Sequence, residues 1–424
     1  MTTRTEPPIQ TEPDGQAHRL SRMHRMLLLV ALGFIAISLV RVVSGEVVLT
    51  SSGTARAMLT LALPIAMCAL GGLVAERAGV INIGLEGMMI LGTWGAGFGG
   101  WHYGPWGALL GALIGGALGG LLHAVATVSF GVDHIVSGVA INLVAAGLVR
   151  FLSEAVYTDA TEGGGPTMSP PLGSVSTFDV PILSSGPNVL GRLENTGVFL
   201  ISDVGGLLRG LTSGLTVFTL IALAMIPLVW FILWRTALGL RWRSAGESPV
   251  AAESLGVNVY RMKYLAVVVS GALAGLGGFV LVMFEQSYRE GQTGGRGFIG
   301  LAAMIFGNWR PGGLLAGSGL FGYADAVRLR AATSAAILAL LLLVGLILAA
   351  VGIWDLYRRR YVLSAVLLVL AGLAVVGWAG LDALPHEVTT MTPYLVTLAV
   401  LATASQRLRP PAADGVRYRR GEEH

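Results

Sequence analysis

A single cysteine, Cys68, and a single lysine, Lys263, stand in the whole of this 424-residue sequence. The cysteine has no disulfide partner within the chain and no companions for a metal site, and its apolar surroundings make it a small core residue. The lysine follows Met262, so the G-x-x-x-x-G-K-[ST] phosphate loop is missing and ATP hydrolysis by that mechanism is excluded. The seven histidines show no H-E-x-x-H spacing and no G-x-S-x-G occurs, which removes the familiar zinc-peptidase and α/β-hydrolase chemistries. Charge is scarce as well. Only 12% of residues are Asp, Glu, Lys or Arg, against about a quarter in an ordinary soluble domain.

Apolar residues fill the gap, at 54% of the chain, together with 60 glycines. In lipid the hydrophobic effect cannot drive helix against helix, and small residues let backbones approach. The formal charge of +4 comes from basic residues at the ends of apolar segments, so nucleic acid is not an expected partner. Gly317-Ser318-Gly319-Leu320-Phe321-Gly322 matches G-x-G-x-x-G, but it follows no strand and no acid comes about 20 residues later. Helix packing explains it better, and no cofactor or metal site is expected.

A spanning helix needs about 20 mainly apolar residues. Candidates are 26–43, 55–74, 80–98, 104–130, 135–152, 214–234, 264–284, 297–327, 334–353, 361–381 and 391–404. The fold class is therefore an all-α polytopic bundle of about 10–12 spans. Residues 1–25 read as a cytoplasmic tail, since the apolar run that follows exceeds a signal peptide's h-region and lacks an A-x-A site. Residues 26–405 form the membrane domain and 406–424 a second cytoplasmic tail. Arginine and lysine near helix ends stay inside. This places 235–263 and Arg358–Arg360 inside and 153–213 outside, provided that 297–327 enters and leaves on the outer face. Arg328 and Arg330 then fall on the outer side, against the rule.

Two segments carry polar groups beside interrupted apolar runs. In Glu76-Arg77-Ala78-Gly79-Val80-Ile81-Asn82-Ile83-Gly84-Leu85-Glu86-Gly87-Met88-Met89, the glycines weaken a continuous helix. In 297–327, Asn308-Trp309-Arg310-Pro311-Gly312-Gly313 breaks the span. Residues 84–94 also resemble 300–309, the pattern of an inverted repeat whose broken helices meet near the bilayer middle. Asn82, Glu86, Met88, Asn308 and Trp309 are accordingly expected to line or border a path, since intramembrane polar groups face cavities or partners. The plainer reading is a short turn before a glycine-packed helix, with Glu86 locked to an arginine such as Arg77. In the inside loop, 246–256 is a helix-capable piece with a glycine stop. It is either a solvated loop or a surface against which a motor domain pushes.

Residues 75–89, 251–264 and 296–311 closely resemble the permeases of ABC importers for nucleosides and simple sugars, related more distantly to ribose and branched-chain amino-acid permeases. The resemblance covers roughly residues 55–330 and the stretch near 393–401. It implies a second permease subunit, a cytoplasmic ABC ATPase and an extracytoplasmic substrate-binding lipoprotein, all around a chain embedded in membrane lipid. It also implies that Glu247, Ala251, Ala252, Glu253 and Gly256 belong to the helix that couples to the ATPase. The pair 334–353 and 361–381 looks like added material. An ion-coupled secondary transporter or channel is the competing reading, with Glu86, Asp133 and Asp325 as its few candidate coupling acids.

Overall fold

The computed structural model describes residues 22–160, 163–330, 335–381 and 408–420; the candidate span 391–404 and the segment 1–21 lie outside them. Among the described residues the elements are helical, with only isolated β-bridges. In chain order they are α1 (Arg22–Ser44), α2 (Ser52–Arg77), α3 (Leu85–Ala124), α4 (His134–Tyr157), α5 (Val189–Glu194), α6 (Ile201–Thr212), α7 (Val217–Arg235), α8 (Ala237–Glu247), α9 (Pro249–Ser254), α10 (Val259–Glu285), α11 (Arg296–Phe306), α12 (Pro311–Arg330), α13 (Ala335–Tyr357) and α14 (Tyr361–Gly380). Among the described residues, seven helices are long and apolar enough to cross a membrane.

α3 is two spans in one run. Along a straight helix, residues 95 and 111 would lie about 24 Å apart, yet a Cβ on Gly95 would fall 2.3 Å from the Gly111 carbonyl oxygen. The fold-back point is Gly104, at φ 67 and ψ −165, followed by Pro105. That backbone region is essentially open to glycine alone. The two legs match the expected spans 80–98 and 104–130, except that the helix starts at Leu85 and leaves 80–84 non-helical inside the bundle.

α10 runs through the centre. Gly271 meets Gly116, Gly275 meets Gly92 and Ala112, and Gly277 meets Pro64, each close enough that a Cβ would strike backbone. These contacts join α2, both legs of α3 and α10 at a distance that only small residues permit.

The bundle has two ends. At the Arg77 end lie Gly79, Gly246, Trp309 and the segment 408–420. At the Ser52 end, Gly206 and Gly210 of α6 pack on Thr50 and Ser52, Asp203 takes both Thr50 Oγ1 at 2.6 Å and Arg41 at 2.7 Å, and Arg330 covers Gly53. The stretch 153–213, read from sequence as one loop, thus holds the end of α4 and the helices α5 and α6. The interrupted stretch 297–327 behaves as expected: α11 runs toward the Arg77 end, turns at Asn308–Arg310, and α12 returns to the Ser52 end. Arg328 is offset there by Asp325 at 2.7 Å.

Candidate functional site

After Arg77 the chain turns at Gly79, at φ +80, where a Cβ would lie 3.1 Å from both the Ala413 oxygen and Gly246 Cα. It re-enters the bundle without forming helix. Non-helical backbone at membrane depth survives only where protein or a water-lined cavity satisfies it, and here neighbouring side chains do so. Ile81 N donates to His134 Nδ1 at 3.2 Å, and the Ile81 oxygen lies 3.0 Å from His123 Nε2, so His123 donates from Nε2 and its Nδ1 accepts from Ser137. Asn142 spans the break: its Nδ2 donates to the Ile83 oxygen at 3.1 Å and its Oδ1 accepts from Gly87 N at 2.7 Å. Asn82 is wholly buried, with Nδ2 donating to Ser270 Oγ at 2.9 Å, and its Oδ1 has no partner among the described residues. Met88 lies against that amide, its sulfur 3.3 Å from Nδ2.

Glu86 sits in the first turn of α3 and clamps the start of α11. Its Oε1 accepts from Gly295 N at 3.0 Å and its Oε2 from Gly297 N at 2.7 Å. These are orphan donors at a helix N-terminus, where the partial positive charge favours a carboxylate. A Cβ on Gly297 would lie 2.6 Å from Glu86 N and Cα, so the two helices meet N-terminus to N-terminus and then run in opposite directions. The partners of Glu86 are these amides rather than Arg77, whose guanidinium donates to the Trp309 oxygen at 2.7 Å and lies 3.8 Å from Glu247. Two anion-favouring ends converging beside an unpartnered amide oxygen form a small polar centre within apolar helices.

Asn308 and Trp309 stand apart from that centre, at the Arg77 end. Both are left-handed, at φ +52 and +51, which for a bulky residue such as Trp is strained. Trp309 is buried and its Nε1 donates to Glu76, while Asn308 Oδ1 accepts from Arg409 N at 2.8 Å. Asp414 faces the Glu76 carboxyl, and its burial pushes its pKa up to about 7.

Of the helix expected from Glu247 to Gly256 only Pro249–Ser254 forms, as α9; Glu247 instead ends α8, where Pro249 starts a new helix, and Gly256 lies beyond the last turn at φ +82. Ala252 is buried against Ala245, Val259 and Tyr418; Glu253 accepts from Tyr418 Oη and pairs with Arg420 at 2.8 Å; Glu247 accepts from Ala412 N at 3.2 Å. Ala251, Val250 and Leu255 remain exposed. Of the remaining candidate acids, Asp133 caps α4 at 2.9 and 3.0 Å, and Asp325 is held by Arg296 and Arg328. Sequence reasoning passed over Asn142, Ser270 and Asp414; an amide inside an apolar span was the available signal for Asn142.

This is the architecture of a multi-pass membrane permease. The family described as the permease component of branched-chain amino acid transport systems matches residues 54–351, and the chain belongs to it. It is 33% identical over 379 residues to the guanosine ABC transporter permease protein NupQ of Bacillus subtilis (strain 168), covering 86% of this chain and 96% of the relative. To the nucleoside ABC transporter permease protein NupC of Lactococcus lactis subsp. cremoris it is 34% identical over 372 residues, 85% of this chain and 95% of the relative. A putative glucose ABC transporter permease protein of Haloferax volcanii is 31% identical over 287 residues, 66% of this chain and 78% of the relative. No solved structure matches the chain. The protein is a transport subunit, and the ion-coupled alternative is not favoured.

Proposed function

We propose that this permease is the membrane subunit of an ATP-driven nucleoside importer, working with a second permease chain, a cytoplasmic ABC ATPase and an extracytoplasmic binding lipoprotein. The observation that carries the substrate class is the likeness over nearly the full length of two relatives named for guanosine and nucleosides. Asn82, Glu86 and Met88 line the path where α3 and α11 meet, and Asn308 and Trp309 border its inner end. The Arg77 end is cytoplasmic, in keeping with Arg235, Arg241, Arg243, Arg261 and Lys263 on 235–263 and with Arg417, Arg419 and Arg420. The exposed side of α9 meets the ATPase.

The test is uptake of labelled guanosine and labelled ribose by cells lacking the gene and by cells carrying it back. Guanosine uptake restored in the complemented cells supports the reading, and ribose uptake restored without guanosine uptake overturns the substrate class. Sidedness is checked with a cysteine at Ser176 after Cys68 is replaced. An impermeant thiol reagent should label it in intact cells, and protection there reverses the orientation.

A further inference from the structure

The segment 408–420, which enters through Pro410 and Pro411, has the composition of a solvated basic tail. It is instead fastened across the Arg77 end by contacts with separate elements. At one end the Arg409 amide donates to Asn308 Oδ1 at 2.8 Å, on the strained turn between α11 and α12. In the middle, Ala413 N donates to the Gly246 oxygen at 2.9 Å, Ala412 N donates to Glu247, and Asp414 lies beside the Glu76 carboxyl that receives Trp309 Nε1. At the other end the Tyr418 ring lies 5.4 Å from that of Tyr260 and covers Ala252, its hydroxyl donates to Glu253, and Arg420 pairs with the same carboxylate.

The elements held at the two ends have different places in the molecule. α9 is short and carries exposed Val250 and Leu255. The α11–α12 turn closes the helix whose opposite end is clamped by Glu86. Consecutive left-handed residues that are not glycine persist only where the surroundings over-determine them, and such strain gathers at elements that switch. A segment that grips this turn at one end and α9 at the other can carry a displacement between them.

We propose that residues 408–420 form a positioning strap that delivers movement of α9 to the α11–α12 turn, with Tyr418 and Arg409 as its points of attachment. The proposal rests on the reading of α9 as the ATPase contact. Tyr418 acts through Ala252 and Glu253, and Arg409 through Asn308; neither needs to touch the solute.

The test uses the full transporter assembled in proteoliposomes and reads guanosine moved per ATP hydrolysed, with ATPase retention and the hydrolysis rate measured alongside. Tyr418→Phe keeps the ring and removes the donor to Glu253, Tyr418→Ala removes both, and a chain ending at residue 407 removes the strap. Tyr418→Ala and the shortened chain should move roughly five- to tenfold less guanosine per ATP, within the range of ordinary coupling factors, while the ATPase stays bound and hydrolyses at its usual rate. Tyr418→Phe should fall between these and the parent. Should the shortened chain fail to reach the membrane, the two Tyr418 variants decide. An unchanged ratio in Tyr418→Ala overturns the strap, as does a loss of ATPase binding that matches the loss of transport, which would make the segment a docking surface. A parent complex that moves no guanosine on ATP overturns the importer reading, and the strap falls with it.

Discussion

α10 and α14 both qualify as membrane spans by length and composition, and α14 is slightly the more apolar, yet 72% of the most apolar stretch of α10 is buried in protein against 11% for α14. Apolarity therefore does not decide which helix occupies the centre. Lipid tails solvate a leucine surface as well as another helix does, so what selects α10 is a face of small residues that admits close approach. Gly271, Gly275, Gly277 and Gly278 each lie against the backbone of α2 or α3. Among the described residues, Gly372 and Gly380 of α14 have nothing within 4 Å of an added Cβ.

The comparison is broken most severely at Gly275. A Cβ there would lie 2.2 Å from the Ala112 oxygen and 3.1 Å from Gly116 Cα, both backbone atoms that cannot swing aside. Gly275→Leu should exceed the roughly 1–3 kcal/mol of an overpacked core and remove the protein from the membrane fraction, read by immunoblot. Normal amounts of Gly275→Leu protein would mean that close backbone approach does not hold the centre together.

Glu86 sharpens the same contrast with a polar group. Glu86→Ala removes the acceptor of the Gly295 amide and leaves the buried amide of Gly297 unsatisfied, the latter at about 1–3 kcal/mol, whereas Glu86→Gln retains one acceptor oxygen. Thermal unfolding in detergent should order the parent above Gln above Ala, and uptake should follow the same order. Equal melting of Ala and parent would show that the clamp on α11 is not needed for the fold.

Much of this centre was legible in the sequence, because its devices are local in sequence. The break at Gly79–Gly84, the interruption at Asn308–Gly313 and the two legs joined near Gly104 each combine glycine or proline with a change of polarity. What escaped depends on distant partners. Nothing near Glu86 in the chain announces that its carboxylate meets Gly295 and Gly297, more than 200 residues later. The stretch 153–213 reads as loop from its Gly, Pro and Ser content, although Gly205, Gly206 and Gly210 are the contact face by which α6 packs on α5 and the start of α2. Asp414 and Tyr418 sit in an arginine-rich segment whose order comes from Glu76, Tyr260 and Glu253.

A smaller effect is expected where α14 does touch a neighbour. Ser364 Oγ donates to the Gly352 oxygen of α13 at 2.8 Å and is buried. Hydrogen bonds between membrane helices contribute about 0.6 kcal/mol on average, so Ser364→Ala should lower the melting temperature slightly and leave uptake unchanged. A loss comparable to that of Glu86→Ala would show that the α13–α14 pair is as tightly specified as the centre.

Gly372→Leu should do least. The ideal Cβ position is open among the described residues, the residue lies inside a helix, and leucine is favoured over glycine in helix interiors by up to about 1 kcal/mol. Melting should be unchanged or slightly higher, the reverse of the Gly275→Leu outcome for the same exchange. The pair of variants thus asks one question of two helices of similar apolarity. If Gly372→Leu instead abolished uptake while the isolated chain kept its melting temperature, the open face of α14 would be an interface with another subunit. Its low burial would then reflect a missing neighbour rather than contact with lipid, and the distinction between centre and periphery would hold for the single chain but not for the assembly.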